Sequence, residues 1–484
     1  MFNSLEYAGL LITAAAVVWG LRNRPLTRSL ALIALSGFFF VRANLGHPLR
    51  LLYPERFSAF NALATSLGLL LLSSVADFIV SRQIARSEVP RARRLLLATS
   101  IALDLGILCV FKYFNFFAAE AGALTGMRPL HLNLLCPIGI SFYTFQAVSY
   151  VTDVYRGKTA PAEQYTDYLL YLSFFPQLLM GPIVRAADLM PKLKAPPSLT
   201  AEGGSRALFR IAVGLIKKSA GADFLRMHAV DPVFGNPGMY SSLEILTAVY
   251  AYAFQIYLDF SAYTDIAVGS AALLGIEIPE NFNAPYLARS LREFWHRWHI
   301  TLSHWLRDYL YIPLGGSRRS EPLVAVNLMI TMVLGGLWHG ASMNYLIWGT
   351  IHGAALAITR AVAKSGLARK IPERVQAIAG PLLTFHIVTA AWVFFRAKTF
   401  KGALDIFRGL FTFEFGTSNI TAGALMVLGI AAVTHFIPKT GVEKTVRGFH
   451  RLPAPVQALL FIAAVYGADC IGAVQVSPFI YSQY

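Results

Sequence analysis

Apolar stretches about as long as a bilayer is thick recur along the whole chain, and no other feature of the sequence limits the fold so tightly. They lie at about 5–21, 29–46, 57–81, 95–118 and 134–151, then 165–184, 207–225 and 240–275. The series resumes at about 323–340, 343–363, 376–396, 418–437 and 454–474. At ~1.5 Å per residue, ~20 helical residues cross the hydrocarbon core, where only helices and closed barrels satisfy their own backbone groups. The 134–151 stretch carries Pro137 and Gly139, so a broken or re-entrant passage is expected there. Hydrophobic residues make up 56% of the chain and charged residues 14%, well below the ~25% charged of soluble domains. The chain therefore reads as one all-α, polytopic membrane domain over residues 1–484.

The net charge of +16 then belongs to cytoplasmic loops, not to nucleic-acid binding, for which no motif is present. Arg22 to Arg28 and the run Arg82, Arg86, Arg91, Arg93 and Arg94 fall two spans apart, both inside. A second basic patch runs from Arg185 through Lys192, Lys194 and Arg206 to Lys217 and Lys218. The last two interrupt an apolar stretch and suggest an interfacial or cavity-facing helix. Asp259 and Asp265 sit between aromatics, where burial against an arginine is expected and a role at the donor site is the alternative. MFNSLEYAGL has no basic residue before its apolar run, the reverse of a secretory signal, so an uncleaved first span starting outside is expected. Lys439, Lys444, Arg447 and Arg451 place the loop before the last span inside, which leaves 475–484 as an outward-facing tail. Cys109, Cys136 and Cys470 are scattered, form no CxxC pair, and read as small core residues without a disulfide or zinc role.

Residues 291–340 are the least generic part. Treated as one helix at ~100° per residue, Leu291, Phe294, Trp295, Trp298, Leu302, Trp305, Leu306 and Tyr309 share a stripe about 120° wide. Arg292, His296, Arg297, Ser303 and Arg307 fall outside it, and His299 lands at its edge, roughly 80° from Leu291. A basic helix with three tryptophans on its apolar face suits a membrane–water boundary. An apolar run then ends at Trp338, His339 and Gly340. Arg318 and Arg319 precede this hairpin and Lys364, Arg369, Lys370 and Arg374 follow it, so His339, near the bend, is held away from the cytoplasmic side. An imidazole kept in an apolar segment is costly, and a function is its default reading beside that of a satisfied core histidine.

FWHRWHITLSHWLRDYLYIPLGG over 294–316 and LGGLWHG over 334–340 resemble the signature of the membrane-bound O-acyltransferase (MBOAT) family. The likeness is to its bacterial branch that O-acetylates exported polysaccharides. PIGISFY (137–143), Gly181-Pro182, YLDFSAYTDIA (257–267), ENFNAPY (280–286) and WVFFR (392–396) also match. Together these pieces span roughly 105–400; the flanks match by hydropathy alone.

The resemblance implies a bundle of about 11 transmembrane helices, with interfacial and re-entrant helices around a central tunnel. It also implies acyl transfer from a thioester to a hydroxyl. That chemistry needs a base, donors for the oxyanion and exclusion of water. A neutral histidine in a dry tunnel serves as base, its ordinary pKa being ~6.5. His339 matches the family's catalytic histidine; His299 falls where a second polar residue is kept, orienting the acyl group or donating to the oxyanion. The terminal PFIYSQY resembles an F-x-Y-x-x-F tail motif of this branch, with Tyr481 as candidate acyl carrier and Tyr484 in place of the final Phe. The bland reading of that tail is an aromatic anchor at the outer interface. The implied donor is cytoplasmic acetyl-CoA, and no metal is expected. Implied partners are membrane lipids and an exported SGNH/esterase-like acetyltransferase, and the implied location is a bacterial inner membrane.

His304 is expected at a surface, and His352 and His386 in packing or tunnel walls. Asn344, Tyr345 and Trp348 are candidate tunnel residues. Rival functions are D-alanyl transfer to teichoic acid, a lipid or polysaccharide transporter, and a di-iron oxygenase prompted by His296 and His299. Eleven dispersed histidines supply only that one cluster, which weakens the last.

Overall fold

A computed structural model describes residues 5–46, 58–366 and 372–472. Among them the regular structure is helical throughout, without a strand, as the apolar pattern requires. Six helices are long and apolar enough to cross a membrane: Pro25–Leu45, Phe60–Arg86, Pro90–Thr125, Glu321–His339, Met343–Lys364 and Glu373–Arg396. A seventh passage arises if Ala422–His435 and Lys439–His450, bent by 99°, count as one. Of the remaining apolar stretches, 5–21, 240–275 and 454–474 are single helices, Leu5–Gly20, Ser242–Leu273 and Ala454–Gly472, and three fold otherwise. Residues 134–151 become an irregular lead into a helix from Ile140. The 165–184 stretch breaks at Phe174, and 207–225 passes into π-helical turns.

The described chain forms two compact units. One holds residues up to Ile211 plus Ile266–Pro279; the other holds Ala212–Asp265 plus the residues from Glu280 onward. In the first, α1 (Leu5–Gly20), α2 (Pro25–Leu45), α3 (Ala59–Arg86), α4 (Pro90–Leu108) and α5 (Ile140–Tyr155) are the long elements. Helix α5 is buried from Ile140 to Val154, which explains its nearly continuous apolar and hydroxyl composition. It starts at Gly139, whose φ of +90° needs glycine and whose missing Cβ leaves room for the Leu178 carbonyl. Arg28 is buried too, its guanidinium capping the carbonyls of Leu193, Lys194 and Ala195 at 2.9–3.0 Å.

The 32-residue α6 (Ser242–Leu273) carries the YLDFSAYTDIA segment. Its acidic residues are paired with lysines within the second unit: Asp265 with Lys217 at 2.7 Å and Asp259 with Lys218 at 2.7 Å. Lys218 also reaches Asp223 at 2.9 Å. The two lysines are thus protein-facing partners of α6 and not an interfacial anchor; a buried ammonium is stable only beside carboxylates.

The segment 291–311 is corrected as well. It is not one helix but α7 (Leu291–Arg297) and α8 (Ile300–Leu306), separated at Trp298–His299 and followed by a π-helical turn, Arg307–Tyr311. Trp295, Trp298 and Trp305 are buried in protein, so their face is core and not a lipid anchor. Pattern gave the apolar face; it did not say what covered it.

Helices α9 (Glu321–His339), α10 (Met343–Lys364) and α11 (Glu373–Arg396) complete the frame of the site. The hairpin α9–α10 is packed through glycine. A Cβ on Gly336 would stand 2.2 Å from the Tyr345 carbonyl, and one on Gly349 2.4 Å from that of Met332. Small residues let the two backbones approach this closely. At the other end Glu321 pairs with Arg360 and Lys364, so both ends of the hairpin are tied. The three cysteines are free; Cys109 and Cys470 are exposed on apolar helices rather than in the core.

Candidate active site

His339 is the last residue of α9, at the turn of the hairpin, and is 3% exposed. Aromatic edges surround it: Trp338 at 5.1 Å, Trp348 at 5.1 Å and Phe395 at 5.2 Å between ring centroids. The next residue must be small, since a Cβ on Gly340 would stand 2.3 Å from the Tyr345 ring. This is the physical content of the Trp-His-Gly triplet: a glycine lets Tyr345 close over the backbone beside the histidine. Tyr345 stacks edge-on against Phe395 at 4.9 Å, and Asn344 donates from Nδ2 to the Ala397 carbonyl at 2.8 Å. The candidate wall residues Asn344, Tyr345 and Trp348 are all buried here.

His299 is fully buried, at the break between α7 and α8. Its φ of +41° is left-handed, a conformation that costs a non-glycine residue on the order of 1 kcal/mol and persists only when neighbours fix it. The ENFNAPY loop does the fixing. Asn281 accepts the Ile300 N–H on its carbonyl at 3.0 Å, and the Asn283 N–H donates to the Arg297 carbonyl at 2.9 Å. Arg297 in turn donates to the Asn283 carbonyl at 3.0 Å and pairs with Glu293 at 2.7 Å. The Asn281 side chain also reaches His299 Nδ1 at 3.2 Å. His299 lies outside the candidate spans, and burial pushes its pKa down from 6.5 to about 3, so its ring is neutral.

The two histidines, forty positions apart, meet the same indole: Trp338 lies 6.1 Å from His299 and 5.1 Å from His339 between ring centroids. Phe260 of α6 closes on His299 at 4.7 Å. Such a site is buried, aromatic and rich in imidazole. A neutral ring there can take a proton, and the low-polarity wall strengthens each hydrogen bond it makes.

The other histidines divide. His296 and His304 are exposed. The helix break also removes the single-helix geometry that set His296 off the apolar stripe and His299 at its edge. His352 is buried against Trp348 at 4.7 Å and Trp295 at 5.2 Å, a packing position. His386 is exposed, with Nε2 2.9 Å from the Tyr250 hydroxyl. Among the described residues, no group of three or more His, Cys, Asp or Glu side chains is placed to hold a metal ion. Tyr481 and the tail 475–484 lie outside the described residues.

Sequence reasoning gave no role to Asn281 or His435. The first sits inside a quoted motif; its burial and its three side-chain hydrogen bonds appear only in three dimensions. His435 accepts the Tyr286 N–H at 3.1 Å and packs 4.8 Å from Tyr257, between elements far apart in sequence.

Two buried imidazoles against one indole are thus set within an all-helical fold, among the described residues, that carries helices long and apolar enough to cross a membrane. The chain belongs to the membrane-bound O-acyltransferase (MBOAT) family, whose model matches residues 103–397 and so includes both histidines and the loop that holds His299. It is 34% identical over 411 residues to the peptidoglycan O-acetyltransferase of Helicobacter pylori, spanning 78% of this chain and 77% of that protein. It is 37% identical over 429 residues to a protein of Pseudomonas putida named probable alginate O-acetylase AlgI, spanning 82% and 85%. With the teichoic acid D-alanyltransferase of Bacillus subtilis it shares 28% over 290 residues, 56% of this chain and 71% of that one. The protein is an integral-membrane acyltransferase.

Proposed function

We propose that the protein carries an acetyl group from cytoplasmic acetyl-CoA across the bacterial inner membrane, for O-acetylation of an exported polysaccharide. The observation that carries this reading is the pair of buried histidines on Trp338, inside a chain 34–37% identical to proteins named for O-acetylation of peptidoglycan and alginate. His339 is the general base. As the acceptor oxygen bonds to the acyl carbon, its proton passes to the imidazole; the C–S bond breaks, and the thiolate leaves and regains that proton. His299 assists, against the same indole. The aromatic wall keeps water from competing for the acyl group.

On the outer side the first acceptor is the Tyr481 hydroxyl, on an outward-facing tail, from which an exported esterase-like acetyltransferase takes the group. A phenol of pKa ~10 needs a base to act as nucleophile, which His339 supplies. The cytoplasmic lysines and arginines receive the phosphates of the donor. His339→Ala should abolish O-acetyl groups on the polymer while the protein accumulates normally in the membrane; acetylation persisting in that variant would overturn the assignment. The likeness to a teichoic acid D-alanyltransferase supports D-alanyl transfer as the second reading. Feeding labelled acetate and labelled D-alanine in parallel separates the two, since only the true acyl unit labels the surface polymer.

A further inference from the structure

One side-chain oxygen, Oδ1 of the fully buried Asn281, collects three groups: the Thr301 backbone N–H at 3.1 Å, the Thr301 hydroxyl at 2.8 Å and His299 Nδ1 at 3.2 Å. A backbone amide can only donate, so the oxygen of the Asn281 amide, and not its nitrogen, must face it. That settles the partner seen by His299. Facing an acceptor, Nδ1 must carry the ring's proton, and in a neutral imidazole the other nitrogen then bears a lone pair. We propose that Asn281 is a positioning residue that fixes His299 as its Nδ1–H tautomer, so that Nε2 accepts a hydrogen bond from an N–H or O–H group of the substrate and does not donate to the oxyanion.

The inference rests on the proposed part of His299 in acyl transfer and chooses between the two roles open to it. Three observations support it beyond the hydrogen bonds. The backbone of His299 is held left-handed by the same loop, through Asn281 O and Ile300 N–H, which fixes where the side chain leaves the chain and keeps it against Asn281. Burial disfavours the imidazolium, the one form that would donate from both nitrogens. Asn281 Nδ2 is enclosed with no hydrogen-bond partner among the described residues, so the side-chain amide is oriented through its oxygen alone.

The test reads the proton directly. In the full-length protein, labelled with 15N-histidine in lipid nanodiscs, the His299 signal is identified by its loss in His299→Asn. The expected spectrum has a protonated Nδ1 and an unprotonated Nε2; the reverse pattern in the wild-type protein would overturn the proposal without need of any further variant. Asn281→Asp keeps the acceptor and should keep the Nδ1 proton, whereas Asn281→Leu should let it move to Nε2 or average between the two. An unchanged tautomer in Asn281→Leu would equally overturn it. Acetyl transfer in Asn281→Leu should fall by about 10²-fold, the loss expected of a misplaced group, chiefly through the KM for the donor. These spectra are recorded without turnover, so they stand apart from the His339→Ala outcome that tests the activity itself.

Discussion

His299 illustrates how one residue can be constrained by backbone and burial together. A ring whose pKa falls to about 3 when folded, against 6.5 as the ordinary value, binds its proton in the unfolded chain first. The unfolded state therefore holds more protons between those limits, and the stability this group contributes is complete above pH ~6.5 and lost as pH falls toward ~3. In acid-unfolding measurements His299→Asn should lose less stability between pH 7 and 4 than the wild type; an identical acid slope would contradict this. Lys218 makes the opposite kind of test, because its ammonium is 1% exposed between Asp223 and Asp259. Lys218→Met takes the ammonium from between two buried carboxylates, and should cost about 3–5 kcal/mol in denaturant unfolding. Replacing Asp259 with Asn in the same variant should recover part of that loss. Sequence showed these charges, but not that they belonged to each other: 41 positions separate Lys218 from Asp259.

Among the elements, the hairpin α9–α10 has the narrowest tolerance. Its glycines stand where another backbone passes, so Gly349→Leu forces apart helices that fix the position of His339. Overpacking typically costs about 1–3 kcal/mol, and here the clash is with main chain, which cannot rotate away. The expected result is lost acetyl transfer together with a lowered thermal midpoint, read by activity and by melting in detergent. The hairpin itself was legible: basic residues at both ends and an apolar run broken at Gly340 place the turn beside His339. The α7–α8 break was not. Its apolar stripe continues through Trp298, so helical periodicity runs on where the backbone turns. The interruption is paid for by hydrogen bonds from the 280–286 loop, which no local pattern in 291–311 contains.

For the whole molecule, the relay hypothesis makes a mass prediction. Intact-mass analysis of the C-terminal peptide should find an adduct of about +42 Da, one acetyl replacing a hydrogen, absent in Tyr481→Phe and in His339→Ala. An adduct that survives Tyr481→Phe would move the carrier elsewhere. By itself the sequence determined an all-helical membrane protein, its family motifs and the two histidines of its candidate site, because apolar length, charge bias and motif spacing are properties of the chain as written. Tertiary structure alone decided that the tryptophans of 291–311 face protein, that Lys217 and Lys218 answer Asp265 and Asp259, and that Asn281 aims the proton of His299. Each of those depends on which surface meets which, and burial and hydrogen-bond partnership are fixed only when distant segments come together.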